Sequence, residues 1–269
     1  VNQRVIVVRQ FREAAMLHFA LTSVRPQEIS LAEVQTFVNR HLPRRGARIL
    51  EVGCGRGELA QRLTGNGHRL VGVDASAERV AAAKQRGVDA RLADWPDFVE
   101  KPFDTVLFTR SLHHMPDIDT ALDRAAELIS DGGRLLLDEF CYDAMTVETS
   151  RWFGQLVDAL VDTRAITLLE NSTVREFQRS GWDLFWWNRD HEREVAPLDE
   201  MRASLVSRFR IVQETRVPYL YRELSAALPD DEASGRIVQR VFEAEARAGA
   251  AESIALVGWR VVAEPRARD

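Results

Sequence analysis

Five short apolar runs, separated by stretches of helical periodicity, dominate residues 48–137, and that alternation leaves few folds open. Residues 49–52, 69–73, 88–92, 103–108 and 134–137 have the length and composition of buried strands, the third being the weakest. Leu59, Ala60 and Leu63 begin one intervening helix, and Ser76 is placed to cap another running to about residue 86. Ile118, Ala121, Leu122, Ala125, Leu128 and Ile129 keep the 3–4 spacing of a third. Strands that alternate with helices predict a parallel sheet built from right-handed crossovers.

The flanks read differently. Phe11, Ala14, Ala15, Leu17, His18 and Leu21 fall mostly on one helical face, which makes His18 a core histidine. Pro26 interrupts, and Ser30 is expected to cap a second helix carrying Leu31, Val34, Phe37 and Val38. Beyond the fifth strand the rhythm breaks, over a length about twice what one crossover needs. Phe153, Leu156, Val157, Leu160 and Val161 form a helical stripe there, followed by Trp182, Phe185, Trp186 and Trp187. The i,i+4 spacing of Trp182 and Trp186 suits either the core of this insert or an aromatic substrate pocket. A strand over 209–212, a helix over 231–248 and a strand over 256–262 close the chain. The expected organisation is 1–45 N-terminal helices, 46–140 sheet core, 141–207 helical cap and 208–269 a strand-helix-strand completing the sheet.

Charge narrows the function classes. The chain carries 36 basic and 41 acidic residues, a net charge of −5, which argues against a partner held through phosphates. Arg40, Arg44, Arg45 and Arg48 are the densest basic group and read as solvated surface. No apolar run reaches membrane-spanning length, so a soluble cytoplasmic protein is expected. Cys54 and Cys141 have no metal-ligand spacing with histidine, so reduced thiols and no metal site are expected.

The chemistry concentrates after the first strand, in Glu51-Val52-Gly53-Cys54-Gly55-Arg56-Gly57. Glycines at alternate positions let the backbone approach a ligand at the carboxyl edge of the sheet. A dinucleotide fingerprint needs a third glycine where this chain has Glu58, and no GK[ST] follows for a phosphate loop. An acid before the turn suits a ligand that carries positive charge.

Here the sequence resembles the class I S-adenosylmethionine-dependent methyltransferases. Residues 49–57 look like the first motif, and 71–76 like the second, with Asp74 ending its strand. Ala93-Asp94-Trp95 looks like the adenine-reading turn. Residues 103–109 look like the fourth strand, followed by Ser111-Leu112-His113-His114-Met115-Pro116-Asp117, and residues 128–135 like the turn into the fifth strand. The resemblance covers about residues 45–140 and the terminal strands. It implies a doubly wound, seven-stranded, mostly parallel α/β sheet of Rossmann-like type, the last strand antiparallel, with N-terminal helices and a helical cap insert. It also implies S-adenosylmethionine as cofactor and S-adenosylhomocysteine as product. The implied cofactor residues are Glu51 for the ammonium, Gly53, Cys54, Gly55 and Gly57 for the turn, and Asp74 for the ribose diol. Ala75, Ala93, Asp94, Trp95, Thr109 and Arg110 complete the set; Arg110 also suits a substrate carboxylate or phosphate.

Methyl transfer from a sulfonium is chiefly a positioning problem. An oxygen or nitrogen acceptor often needs a base, and His114, then His113, are the candidates. Both also suit purely structural roles beside the next helix. Glu139, Tyr142 and Trp186 are weaker candidates for substrate contact. DNA amino-methyltransferases resemble one another in an N/D-P-P-Y/F turn, and Thr109-Arg110-Ser111-Leu112 lacks it. A small-molecule substrate and a monomer or homodimer are expected, with a non-methylating reaction on the same scaffold as the alternative.

Overall fold

A computed structural model describes residues 25–42, 45–191 and 195–266. The first expected helix, with Phe11 and His18, lies outside the described residues, as does Arg44. The described residues divide into two compact units, each described by itself: residues 31–42, 45–141, 195–216 and 258–266, and residues 25–30, 142–191 and 217–257.

The first unit holds the sheet. Its strands are β1 (Arg48–Val52), β2 (Arg69–Asp74), β3 (Asp89–Leu92), β4 (Phe103–Thr109), β5 (Ile129–Phe140), β6 (Phe209–Val217) and β7 (Gly258–Pro265), in the order β3-β2-β1-β4-β5-β7-β6. The pairs β3–β2, β2–β1, β1–β4 and β4–β5 are parallel, and β7 runs antiparallel to β5. Ile49, Leu50, Val106, Leu107, Phe108, Leu135, Leu136 and Leu137 are buried, as strands covered on both faces require. Register places Val52 beside Val73 and Phe108, and Thr109 beside Asp138. The carboxyl ends of β1, β2, β4 and β5 therefore share one edge.

Helix α1 (Pro26–His41) starts four residues before the expected Ser30 cap. Proline is favoured in a first turn because its missing N–H would have no partner there. Helices α2 (Glu58–Gly65) and α3 (Ala77–Gln85) follow β1 and β2. Ser76 does cap α3, accepting from the Arg79 N–H. Gly57, at φ +81°, leaves only enough room for α3: a Cβ there would lie 2.9 Å from that of Ala83. Helix α4 (Ile118–Leu128) buries the expected Ile118, Ala121, Leu122, Ala125 and Leu128. The last strand begins at Gly258, not 256, and β6 runs on to Val217.

The second unit contains helices α5 (Val147–Asp162), α6 (Thr173–Arg179) and α7 (Leu184–His191), and, after α8 (Leu198–Arg208) in the first unit, α9 (Leu220–Ala226) and α10 (Glu232–Ala250). Trp182 and Trp186 do not share a helix. Trp182 precedes α7 at φ +62°, where its ring lies against Gly154 of α5 and its Nε1 donates to Asp158 at 2.9 Å. The chain reversal at Gly181 breaks the helical spacing that the pair displays in sequence.

Candidate functional site

The glycine turn is fixed from three sides. Gly53 and Cys54 donate their N–H groups to the Val73 carbonyl at 2.8 and 3.0 Å, joining the turn to β2. Gly55 N–H donates to Asp74 Oδ2 at 2.9 Å, and Ser76 N–H to Oδ1 at 2.9 Å. Asp74 is thus held in one orientation while retaining lone pairs for further donors. Gly53 sits at φ +72°, and a Cβ there would lie 2.6 Å from Ser111 Cβ. Gly55, at φ +56°, is different: a Cβ there would meet nothing within 4 Å, so open space lies over it.

Glu51 is 3% exposed. Thr109 Oγ1 donates to its Oε1 at 3.1 Å, and its Oε2 has no hydrogen-bond partner. Burial pushes this carboxyl up to about 8, with Glu58 and Asp74 adding to the rise and Thr109 and Arg110 opposing it. Cys54 is buried beside these acids, and burial pushes its thiol up to about 12, which keeps it unreactive. Neither Cys54 nor Cys141 is in a disulfide.

Beyond β3, Ala93 and Trp95 are half-buried and Asp94 is exposed. Trp95 Nε1 donates to the Ala121 carbonyl at 3.1 Å, and its ring meets Phe108 edge-on at 5.8 Å. Ala75 is exposed at the end of β2.

The loop leaving β4 carries the two histidines. Arg110 is exposed at φ +56°, a region costly for a residue with a Cβ, and its N–H donates to the Asp138 carbonyl at 2.8 Å. Ser111 Oγ donates to the Val52 carbonyl at 2.6 Å. The N–H groups of Ser111 and Leu112 both donate to Glu139 Oε1, at 3.1 and 2.9 Å. Glu139 Oε2 lies 2.5 Å from His113 Nδ1. His113 and Glu139 are buried at 4% and 1% exposure, whereas His114 is exposed with its ring 4.2 Å from that of His113.

Tyr142 and Trp186 lie in the second unit. Tyr142 is buried and stacks on His191 at 5.9 Å; Trp186 is half-buried and stacks on Phe177 at 5.7 Å. Two parts of this arrangement were not foreseen. Ser111 locks the turn, and only its place beside the histidine motif marks it in sequence. Glu245 is buried within the second unit and accepts the N–H groups of Tyr219, Leu220 and Tyr221, and no sequence motif marks it. Among the described residues, no group of three His, Cys, Asp or Glu is placed to hold a metal ion.

A methyltransferase-domain family matches residues 26–186. The chain belongs to that family. Over 206 residues it is 32% identical to a ubiquinone biosynthesis O-methyltransferase of Xylella fastidiosa (strain 9a5c), covering 72% of this chain and 80% of the relative. It is 38% identical over 108 residues to the 27-O-demethylrifamycin SV methyltransferase of Amycolatopsis mediterranei, covering 36% of this chain and 40% of that one. The fold is shared with geranyl diphosphate C-methyltransferase of Streptomyces coelicolor A3(2), solved with S-adenosylhomocysteine, at a TM-score of 0.55 and 14% identity over 88% of this chain and 76% of that one. This is a class I S-adenosylmethionine-dependent methyltransferase. The residues fit that cofactor. A buried carboxylate oxygen without a partner stands at Glu51, and the space over Gly55 is open. Among the described residues, no helix is long and apolar enough to cross a membrane.

Proposed function

We propose that this methyltransferase methylates a hydroxyl oxygen of a small organic molecule, with the cofactor held along the shared edge of β1, β2 and β4. The observation that carries the site assignment is the unpartnered Oε2 of buried Glu51. A polar oxygen kept from water without a hydrogen bond is costly, and a ligand ammonium would satisfy it. The oxygen acceptor is supported by the two relatives, both named for O-linked methyl groups.

S-adenosylmethionine, when bound, supplies a methyl group already activated on a sulfonium. The chain's own task is to hold and orient. Glu51 takes the ammonium, the backbone of 53–57 packs on the amino-acid and ribose portions, and Asp74 accepts from the ribose hydroxyls. Ala75, Ala93, Asp94 and Trp95 frame the adenine. Thr109 orients Glu51, and Arg110 supplies positive charge at the site mouth. His113 and His114, both on the loop leaving β4, would take the hydroxyl proton as the acceptor oxygen bonds the methyl carbon and the methyl–sulfur bond breaks. The enzyme works as a monomer or homodimer without nucleic acid.

The test is a panel of phenols, catechols and aliphatic alcohols incubated with protein and S-adenosylmethionine. The expected result is stoichiometric S-adenosylhomocysteine and an O-methylated product from at least one member. Product formed only on amines or carbon acids, with no O-methylation across the panel, would overturn the oxygen assignment.

A further inference from the structure

Glu139 has no lysine or arginine partner among the described residues, yet its carboxylate is fully enclosed. It takes three donors from three consecutive residues: the amides of Ser111 and Leu112 on Oε1, and His113 Nδ1 against Oε2. The residue before it, Asp138, takes the Arg110 N–H on its carbonyl. Two adjacent residues of β5 thus hold residues 110–113, and Ser111 carries that restraint to the glycine turn through Val52 and the close approach of Gly53.

We propose that Glu139 is the positioning residue of this site: it fixes His113 as the Nδ1–H tautomer, so that Nε2 is the ring's proton-accepting nitrogen. The geometry carries the choice of tautomer. Oε1 accepts two amide N–H groups and Oε2 faces Nδ1, so an Nδ1–H gives this acceptor carboxylate a donor on each oxygen. Nε2 has no hydrogen bond among the described residues, and the ring stands 4.2 Å from that of His114. The carboxylate also stabilises the imidazolium formed when Nε2 gains a proton, the role a buried acid plays behind a catalytic histidine. Loop anchoring alone needs only acceptors for the two amides. Tautomer control needs a carboxylate, and that difference is testable.

This inference rests on the proposed function only for the use made of Nε2. The decisive readout needs no acceptor molecule. Two-bond proton–nitrogen spectra of the full-length labelled protein, at a pH where the imidazoles are neutral, report each tautomer. The expected result is Nδ1–H for His113 in the wild type. In Glu139→Gln the carboxamide oxygen can keep the two amides while its NH2 faces Nδ1, so the ring switches to Nε2–H. S-adenosylhomocysteine titrated into the same samples should bind both proteins within about twofold. His113→Asn keeps a donor toward Glu139 but removes Nε2; with an acceptor from the panel it should lose at least tenfold in kcat with KM little changed. An Nε2–H ring in the wild type, or an unchanged tautomer in folded Glu139→Gln, would overturn the proposal. Full kcat in His113→Asn would overturn the use of Nε2. Failure of the wild type to bind S-adenosylhomocysteine would instead count against the proposed cofactor site.

Discussion

The Thr109 hydroxyl donates to one oxygen of Glu51 at 3.1 Å and leaves the other buried without a partner. β1 and β4 are adjacent in the sheet, so Glu51, one residue before the end of β1, lies within reach of Thr109 at the end of β4. The pair presents half of a carboxylate toward whatever binds there.

That geometry makes cofactor binding pH-dependent. Burial pushes the Glu51 carboxyl up to about 8, so at pH 7 the ligand-free enzyme holds it mostly protonated. A ligand ammonium favours the carboxylate, so binding should release close to one proton at pH 7. Affinity for S-adenosylhomocysteine should rise from pH 6 to 8 and then level. Titrations in buffers of different ionisation enthalpy count the protons directly. A flat profile with no proton release would place Glu51 away from the cation.

Stability carries the opposite sign. An unfolded Glu51 titrates near 4.5 and the folded one near 8. Its contribution is fully present below 4.5 and is lost as pH rises through 8. Glu51→Gln should therefore raise Tm of the ligand-free protein at pH 8, with little change at pH 5, while weakening cofactor binding. Thermal melts at both pH values check it, and a variant that melts lower at pH 8 contradicts it.

Gly53 and Gly55 should respond differently to alanine. Both sit at positive φ, which costs a residue with a Cβ roughly 1–2 kcal/mol. At Gly53 the new methyl also collides with Ser111 and disturbs the loop that Glu139 holds. At Gly55 it enters open space. Gly53→Ala should lose both Tm and binding of S-adenosylhomocysteine; Gly55→Ala should lose at least tenfold in binding with a smaller fall in Tm. Equal losses of stability would contradict the assignment of Ser111 as the lock on the turn.

Glu245 offers a test in the second unit. Its carboxylate accepts three consecutive amides at the start of α9, and the Arg222 guanidinium lies over the Tyr219 ring at 5.1 Å. Glu245→Ala leaves three N–H groups without that acceptor and should cost about 3 kcal/mol or more. For a chain of this size that is a fall in Tm of roughly 6–12 °C. A shift under 2 °C would mean that water replaces the carboxylate without loss.

The sheet and most of its edge were legible because their signals are local. Each parallel strand is a continuous apolar run, and Gly53, Gly55, Asp74 and Ser76 each act within a few residues of their strand. The third glycine was legible as a turn residue, but its packing on Ala83 was not, since that depends on the approach of α3 to α2. Trp182 and Trp186 mislead because a left-handed turn at Gly181 and Trp182 breaks a spacing that looks helical. Glu139 was visible as an acid near the site. Its three donors come from a segment 26–28 residues earlier, brought alongside by β4–β5 pairing, and no sequence period records such a contact. Glu245 was invisible for the same reason.

Asp74 gives the most direct test of the cofactor site. Its two oxygens hold Gly55 and Ser76, and the site assignment makes it the acceptor for the ribose hydroxyls as well. Isothermal titration of S-adenosylhomocysteine into the wild type and Asp74→Ala should show micromolar binding by the first and binding at least tenfold weaker by the second. Equal affinity in the two proteins, or no binding by the wild type, would contradict the account.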